Sequence, residues 1–309
     1  MKAYFSATNA KAAPIVGSTM QKENNPYVAL NKIKPEEYKG YSHFALYHEV
    51  EAIRPSLREG ETQELFLFFH FLNLLSKANV DYLLNGSQII KPYLKDKVRF
   101  GKDIDIIAQD PDILFEQIDK AISNATGDIT YKIKELRRRE ADQVYYYDTF
   151  LFRIEAYHDG DFFHGFSLDG KVVSDFDKIE KVKYYGPKII DEDFYYYGVK
   201  IESVAAEKIV ALSCELLRPY KHLVDVYTLT KYVDLDIGLL KKYLSQILDR
   251  ENRVREKLNI SPINDDYKIK QDKLFSGNYY FYAISAGYRV TKTEMIKEIN
   301  DWIIKNIES

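Results

Sequence analysis

The sequence predicts an α+β fold, a mixed sheet flanked by helices, followed by an α-helical bundle. Two observations favour this fold class. Between residues 61 and 200, short runs with a period of two alternate with runs of helical period. After about Ile201 nearly all the periodicity is helical. We therefore predict an N-terminal extension over 1–60 that packs on the core, an α+β domain over 61–200 and a helical domain over 201–309.

Composition narrows the class of protein. The 309 residues are 46% hydrophobic and 29% charged, which is enough to bury a core, and the net charge is -3. This near-balance argues against a dedicated nucleic-acid coat or a membrane-surface protein. The single cysteine, Cys214, excludes an intrachain disulfide. We find no signal-like N-terminus and no apolar run of about 18 residues, so we expect a cytoplasmic protein without a membrane span.

The elements of the first half are read from periodicity and capping signals. Asp110 is a suitable N-cap for a helix, with Pro111 at its tolerated first position. Thr62 is an acceptable N-cap for an earlier helix. The predicted elements, in order, are a helix over Thr62–Ala78, a strand over Val80–Leu84, a short helix over Ser87–Lys91, a strand over Asp103–Ala108 and the helix that follows Asp110.

Strand-like runs and then helices make up the rest of the chain. Asp169-Gly170 has the composition of a hairpin turn, so we predict a hairpin there. The predicted strands are Ile129–Leu136, Gln143–Tyr147 and Phe150–Tyr157, and the predicted helices are Ser203–Leu217 and Leu223–Tyr232.

Two carboxylates on one strand form the first chemical signal. Residues two apart in a strand point to the same face, so Asp103 and Asp105 project together while Ile104 and Ile106 enter the core. Such close like charges repel unless something compensates them, and Mg²⁺ suits carboxylates combined with substrate phosphates. The alternative is a strand whose open face is simply wetted by solvent.

Two further candidate segments precede and follow this strand in the sequence. Gly86-Ser87 lies at a strand-to-helix turn, where glycine allows close backbone approach and the helix start offers N–H groups to phosphate. An ordinary turn is the alternative. Glu155 lies on an alternating strand and would stand beside the aspartates if that strand neighbours theirs. Arg153 shares its face, so a surface ion pair is the competing interpretation.

The helical region adds a lysine and an aspartate. Lys208 lies on a helix from which its side chain can reach a phosphate or extend along apolar surface to water. Lys221 and Asp225 are about one helical turn apart and can form a plain i,i+4 pair.

These segments together resemble a known superfamily. Gly86-Ser87 followed by Asp103-Ile104-Asp105 resembles the signature of polymerase-β-like nucleotidyltransferases. The Arg99…Asp103-Ile104-Asp105 run, the Glu207-Lys208 helix and the Arg218–Tyr227 segment resemble the AbiEii/AbiGii-type toxin family of abortive-infection and type IV toxin–antitoxin systems. The resemblance covers about 62–232. Gly101 and His222 depart from the family pattern, in place of Ser/Thr and Asp respectively.

The resemblance implies a polymerase-β-like domain and a set of functional residues. Mg²⁺ or Mn²⁺ would be bound by Asp103, Asp105 and Glu155. The residues assigned to catalysis are Asp103, Asp105, Glu155, Lys208 and Asp225. The residues assigned to nucleotide binding are Gly86, Ser87, Arg99, Lys208 and Lys221.

The implied activity is transfer of a nucleoside monophosphate from an NTP, with a separate antitoxin protein as partner. Relatives suggest RNA, especially the tRNA 3′ end, or a protein as acceptor. A basic run over Lys132–Arg139 would suit an RNA backbone, although such a run is also typical of a solvated strand edge. The alternatives are a small-molecule, antibiotic-type nucleotidyltransferase and a catalytically silent nucleotide-binding module.

Overall fold

A computed structural model describes residues 59–90, 103–140, 148–174, 176–185, 195–213, 219–270 and 288–308, together with Tyr279, Ala283 and Ala286. The predicted extension over 1–60, except for its last two residues, lies outside this part of the chain. So do Arg99 and the predicted strand Gln143–Tyr147.

The described elements alternate between helix and strand before they become helical. In chain order they are α1 Glu59–Lys77, β1 Leu83–Leu84, α2 Ser87–Ile90, β2 Asp103–Ala108, α3 Pro111–Ser123, β3 Ile129–Arg139, β4 Thr149–His158, β5 Asp161–Val172, β6 Val182–Tyr185, β7 Tyr195–Gly198, α4 Ile201–Ser213, α5 Pro219–Tyr232, α6 Ile237–Lys257 and α7 Lys292–Ile303.

The strands form one seven-stranded mixed sheet in the order β3-β4-β5-β2-β1-β7-β6. β2 runs parallel to β5 and antiparallel to β1, and β1 runs parallel to β7. The remaining neighbours, β3–β4, β4–β5 and β6–β7, are antiparallel. The predicted mixed sheet with flanking helices is therefore confirmed.

One face of this sheet is apolar and the other is polar. Ile104, Ile106 and Leu168 are at most 1% exposed and point to the apolar face. α1 covers that face, and its Phe68 and Phe71 rings lie 5.2 and 5.3 Å from the Phe166 ring. We call the opposite side, which carries Asp103 and Asp105, the open face. Strand alternation thus separates the core from the polar side chains.

Helix starts were predicted with mixed success. Asp110 caps α3 as predicted, because its side chain accepts hydrogen bonds from the backbone N–H groups of Asp112 and Ile113, and Pro111 occupies the first turn. The prediction for Thr62 is wrong. α1 already includes Glu59, so Thr62 lies inside the helix and cannot cap it.

The hairpin predicted at Asp169-Gly170 is also wrong. These two residues lie inside β5, and the β4–β5 turn is instead at Asp159-Gly160, where both φ angles are positive, 50° and 88°. Gly170 serves packing, since a Cβ at that position would lie 2.0 Å from Cζ of Phe150. The same dipeptide signal therefore marked a turn in one place and a tight ring contact in another.

The C-terminal helices continue the same hydrophobic core. Buried residues of α4, α5, α6 and α7 belong to one cluster with the buried residues of the sheet. α4 packs against α5 and α6, and the short α2 packs against both α4 and α5. The division of the chain near residue 200 stays a prediction. Among the described residues, none of the helices combines the length and the apolar character that crossing a membrane requires.

Candidate active site

Asp103 and Asp105 lie on the open face of β2, whose bounds match the prediction. Both side chains are half-buried, whereas Ile104 between them is fully buried on the apolar face. β5 pairs with β2 opposite both aspartates, whereas β1 pairs only with Ile106 and Ile107, so the residues that follow β1 lie on the other side of Asp105. The two aspartates therefore project from the open face of a paired strand.

The turn that contains Gly86 lies directly against Asp105. Gly86 has φ +64°, and a Cβ there would lie 2.1 Å from Oδ2 of Asp105. The Asn85 backbone N–H donates to the Asp105 carbonyl at 2.9 Å, and Nε2 of Gln88 donates to the Asp103 carbonyl at 3.2 Å. Ser87 follows, buried, at the start of α2. The structure thus brings the Gly86-Ser87 turn and both aspartates together.

A third carboxylate, which sequence reasoning missed, stands next to them. β5 pairs with β2 in parallel, with Asp169 opposite Asp105 and Ser167 opposite Asp103. Paired residues share a face, so Asp169 projects beside Asp105 at about one strand spacing, roughly 4.8 Å between backbones. The signal was present in the alternation of Ser167, Asp169 and Lys171 with buried residues, but Asp169 had been assigned to a turn.

Glu155 does not stand beside the aspartates. Its strand, β4, pairs with β5 and β3, so β5 separates it from β2, and the expectation that these strands adjoin is wrong. Its carboxylate accepts a hydrogen bond from the Tyr157 hydroxyl at 2.5 Å and lies 3.3 Å from Nζ of Lys134. The Tyr157 hydrogen bond, with help from Lys134, holds the pKa of Glu155 below its ordinary value against the opposing effect of burial.

The carboxylates line the open face side by side. Among the described residues, no three His, Cys, Asp or Glu side chains converge as a closed metal site would require. Mg²⁺, however, is usually bound through one or two carboxylates together with substrate phosphates and water. Asp103, Asp105 and Asp169, with the Gly86 turn against Asp105, suit this open mode of binding.

Lys208 and Asp225 form a buried ion pair between α4 and α5. Nζ of Lys208 donates to Oδ2 of Asp225 at 2.8 Å, and both side chains are at most 7% exposed. Lys221 lies half-buried one turn earlier on α5. Because α2 packs against both α4 and α5, this pair lies behind the helix that begins at Ser87.

Glu207 connects several elements near the aspartates, and the sequence did not indicate it as a site residue. Its carboxylate accepts hydrogen bonds from Nδ2 of Asn85 and Nζ of Lys171, each at 3.1 Å, and lies 3.5 Å from Nη2 of Arg250. Burial alone would raise its pKa, but Lys171, Arg250 and the Asn85 amide outweigh burial and lower the pKa of Glu207 to about 2. Glu207 thus ties the Gly86 turn to β5 and α6.

Two surface cavities lie away from the aspartates. One, of about 490 Å³, lies between α1 and α3 and is lined by residues such as Asn73, Lys77 and Lys120. The other, of about 690 Å³, is lined by residues such as Asp110 and Asp148. Asp103, Asp105 and Asp169 line neither of these two cavities.

A comparison with family models identifies the family. The model described as nucleotidyl transferase AbiEii toxin, type IV TA system, matches residues 84–292, which is more than half of the chain. The chain belongs to this family. The resemblance drawn from the sequence is therefore confirmed, and this AbiEii-family protein is a nucleotidyltransferase. The match spans the Gly86 turn, β2, Lys208 and Asp225.

One solved structure supports the fold. MenT4, a nucleotidyltransferase toxin from Mycobacterium tuberculosis, matches with a TM-score of 0.58 and 14% identity, over 84% of this chain and 87% of that one. JHP933 from Helicobacter pylori matches with a TM-score of 0.40 and 13% identity, over 81% of this chain and 95% of that one. A comparison with curated proteins gives no match. The AbiEii-family chain thus shares the fold of a nucleotidyltransferase toxin.

Proposed function

We propose that this AbiEii-family nucleotidyltransferase moves a nucleoside monophosphate from an NTP to an acceptor hydroxyl at the open face, as the toxin of a type IV toxin–antitoxin system. The observation that carries the proposal is the register of β2 and β5. It sets Asp105 beside Asp169, with the Gly86 turn against Asp105 on the other side. Two carboxylates and the backbone of the Gly86 turn therefore meet at one place.

The residues that would hold Mg²⁺ or Mn²⁺ are Asp103, Asp105 and Asp169, with Asp169 in the position first expected for Glu155. When bound, the ion would favour ionisation of the attacking hydroxyl and stabilise charge on the leaving pyrophosphate. The protein itself contributes by holding the carboxylates in position. Gly86 leaves space for Asp105, and the hydrogen bonds from Asn85 and Gln88 to the β2 backbone fix that strand against the turn.

The Gly86-Ser87 turn and the helices behind it would bind the phosphates. The backbone N–H groups at Ser87 would donate to phosphate oxygens, since the first N–H groups of a helix have no partner within the helix. Lys208 would neutralise charge on the phosphates, and Asp225, 2.8 Å away, holds its ammonium group in place. Arg99 and Lys221 stay proposed phosphate contacts.

The acceptor is proposed to be RNA, with a protein side chain as the alternative, and the partner is a separate antitoxin protein. A small-molecule acceptor and a silent nucleotide-binding module are the other candidates. The intact carboxylates favour an active enzyme. Metal-dependent NTP binding without any product would identify the silent module.

The test is a transfer assay on the full-length protein. Purified protein is incubated with Mg²⁺, total RNA and each NTP in turn, labelled at the α-phosphate, and RNA and protein are resolved separately. We expect label on one acceptor class with the wild type, and none with Asp105→Asn. Equal labelling by the folded Asp105→Asn variant would show that the open face is not the site of transfer.

A further inference from the structure

The cavity between α1 and α3 lies on the side of the sheet opposite the aspartates. α1 covers the apolar face, and α3 contacts the same face through Phe115, whose ring centroid lies 6.0 Å from that of Phe152. Phe152 is paired with Leu168, one of the residues that point to the apolar face. The sheet therefore separates this cavity, which we call the α1–α3 cavity, from Asp103 and Asp105.

A buried asparagine lines the α1–α3 cavity. Asn73 is 4% exposed, and its Oδ1 accepts no hydrogen bond from the described part of the chain. The turn after α1 does not serve it, because the N–H groups of Ala78, Asn79 and Val80 donate to carbonyls of α1 at 3.1–3.2 Å. A buried acceptor without a donor costs free energy, and most such groups have a partner. Asn73 therefore indicates a donor that enters through the cavity.

Two lysines from the ends of the two helices line the same cavity. Lys77 lies in the last turn of α1 and Lys120 in the last turn of α3, and both are exposed. Within the described part of the chain, Lys120 forms no ion pair. A helix C-terminus itself disfavours anions, so an anion here would be held by the ammonium groups and not by the helix ends. The cavity thus combines exposed cations with a buried acceptor.

Two further side chains of the wall are already held in place. Nδ1 of His70 lies 2.7 Å from the hydroxyl of Tyr131, which is itself buried. Oε1 of Gln117 accepts a hydrogen bond from the backbone N–H of Asp81 at 2.9 Å. Because these contacts fix the imidazole ring and the amide, this part of the wall would lose little conformational entropy when a ligand binds.

The polar groups and the volume define the ligand that would fit. Lysine ammonium groups bind phosphate as point charges, and Oδ1 of Asn73 needs a hydroxyl or amino donor. The cavity measures about 490 Å³, within the range of roughly 300–1,000 Å³ that is typical of small-molecule sites. One water molecule occupies only about 30 Å³. The space therefore suits a small organic phosphate and not a single water molecule.

We propose that the α1–α3 cavity binds a small phosphate monoester that carries hydroxyl groups, either a sugar phosphate or a nucleotide. Its phosphate contacts Lys77 and Lys120, and one of its hydroxyl groups donates to Oδ1 of Asn73. Both candidate ligands contain a phosphorylated sugar, which is the chemistry that these residues recognise. The site does not depend on the reaction proposed at the aspartates, because the sheet lies between the two.

The experiment measures the melting temperature of the full-length protein in EDTA against increasing ribose 5-phosphate, AMP or inorganic phosphate. A ligand that binds only the folded state raises the melting temperature with its concentration. The test variants are Asn73→Leu, which keeps the size of the side chain and removes the acceptor, and Lys120→Gln. The matched control is Lys241→Gln, an exposed lysine of α6 that does not line the cavity.

We expect ribose 5-phosphate and AMP to raise the melting temperature of the wild type. Without ligand, Asn73→Leu should melt at the wild-type temperature or above it, because an apolar side chain of similar shape replaces an unpartnered buried acceptor. Its ligand-dependent rise should disappear. Lys120→Gln should raise the dissociation constant at least about tenfold, since it loses a hydrogen bond to a charged group, and Lys241→Gln should match the wild type. Lys120→Gln decides the test if Asn73→Leu does not fold.

The three ligands distinguish the sources of the phosphate. Equal affinity for AMP and ribose 5-phosphate would identify a sugar phosphate, and clearly tighter binding of AMP would identify a nucleotide. An equal rise with inorganic phosphate would overturn the proposal, because that ion needs no sugar hydroxyl at Asn73. So would no rise with either ester, or a rise that both test variants retain. The measurement uses neither Mg²⁺ nor an NTP, so its failure would leave the proposed transfer reaction untouched, and failure of transfer would leave the cavity site untouched.

Discussion

Neutralising Glu207 tests how the helices hold the Gly86 turn. Glu207→Gln keeps the shape of the side chain and still allows the Asn85 amide to donate a hydrogen bond. It removes the charge that faces Lys171 and Arg250, at 3.1 and 3.5 Å. We therefore expect a loss of folding stability at neutral pH and a loosened Gly86 turn.

The magnitude follows from the shift in pKa. The pKa of Glu207 is lowered from 4.5 to about 2 in the folded protein, and one pKa unit corresponds to about 1.4 kcal/mol. The ionised carboxylate therefore contributes at most about 3.5 kcal/mol at neutral pH. Since the folded pKa lies below the ordinary value, this contribution is present above pH 4.5 and is lost as the pH falls from 4.5 towards 2.

The assay is urea unfolding of wild type and variant at pH 7 and again near pH 3. The matched control is Glu298→Gln, because Glu298 pairs with Lys231 at 2.8 Å but is 48% exposed, so it should cost no more than about 1 kcal/mol. We expect Glu207→Gln to lower the free energy of unfolding by 2–3 kcal/mol, as a rough figure, at pH 7 and by less at pH 3. Equal losses in both variants, or a loss that does not shrink with acid, would refute the reasoning.

Two other substitutions test the surroundings of the aspartates. Gly86→Ala should cost at least about 1–2 kcal/mol through the positive φ alone and should also displace Asp105, so we expect a lower melting temperature and no nucleotide transfer. Transfer at the wild-type rate would contradict the close contact. Lys208→Met should destabilise by about 3–5 kcal/mol because it leaves Asp225 buried without its cation. Adding Asp225→Leu should restore most of that stability. Chemical denaturation measures the free energy of unfolding of both variants. A Lys208→Met variant as stable as the wild type would contradict a buried ion pair.

The parts of the fold that depend on local signals were predictable. β2 was placed correctly because its isoleucines alternate with aspartates, and α3 because Asp110 and Pro111 form an unambiguous start. The family resemblance, which the family model confirms, was recognisable from two short motifs. These are features that a few adjacent residues determine without reference to the rest of the chain.

The errors at the site concern strand order, which no local signal contains. Glu155 alternates correctly on β4, but whether β4 or β5 adjoins β2 is decided by long-range pairing. The prediction missed Asp169 for a related reason. Asp-Gly favours a turn in isolation, yet Gly170 is needed in the strand because the Phe150 ring occupies the space of a side chain. The role of Glu207 could not be predicted from the sequence, because its partners Asn85, Lys171 and Arg250 are far apart along the chain and come together only in the fold.

The most direct test of the account compares Asp169→Asn with Glu155→Gln in the labelled-NTP transfer assay. The two changes remove one carboxylate charge each from the same face of the sheet, in the strand next to β2 and in the strand beyond it. We predict that Asp169→Asn abolishes transfer while its melting temperature stays near that of the wild type, and that Glu155→Gln retains most of the activity. Full transfer by Asp169→Asn, with loss of transfer by Glu155→Gln, would contradict the proposed site.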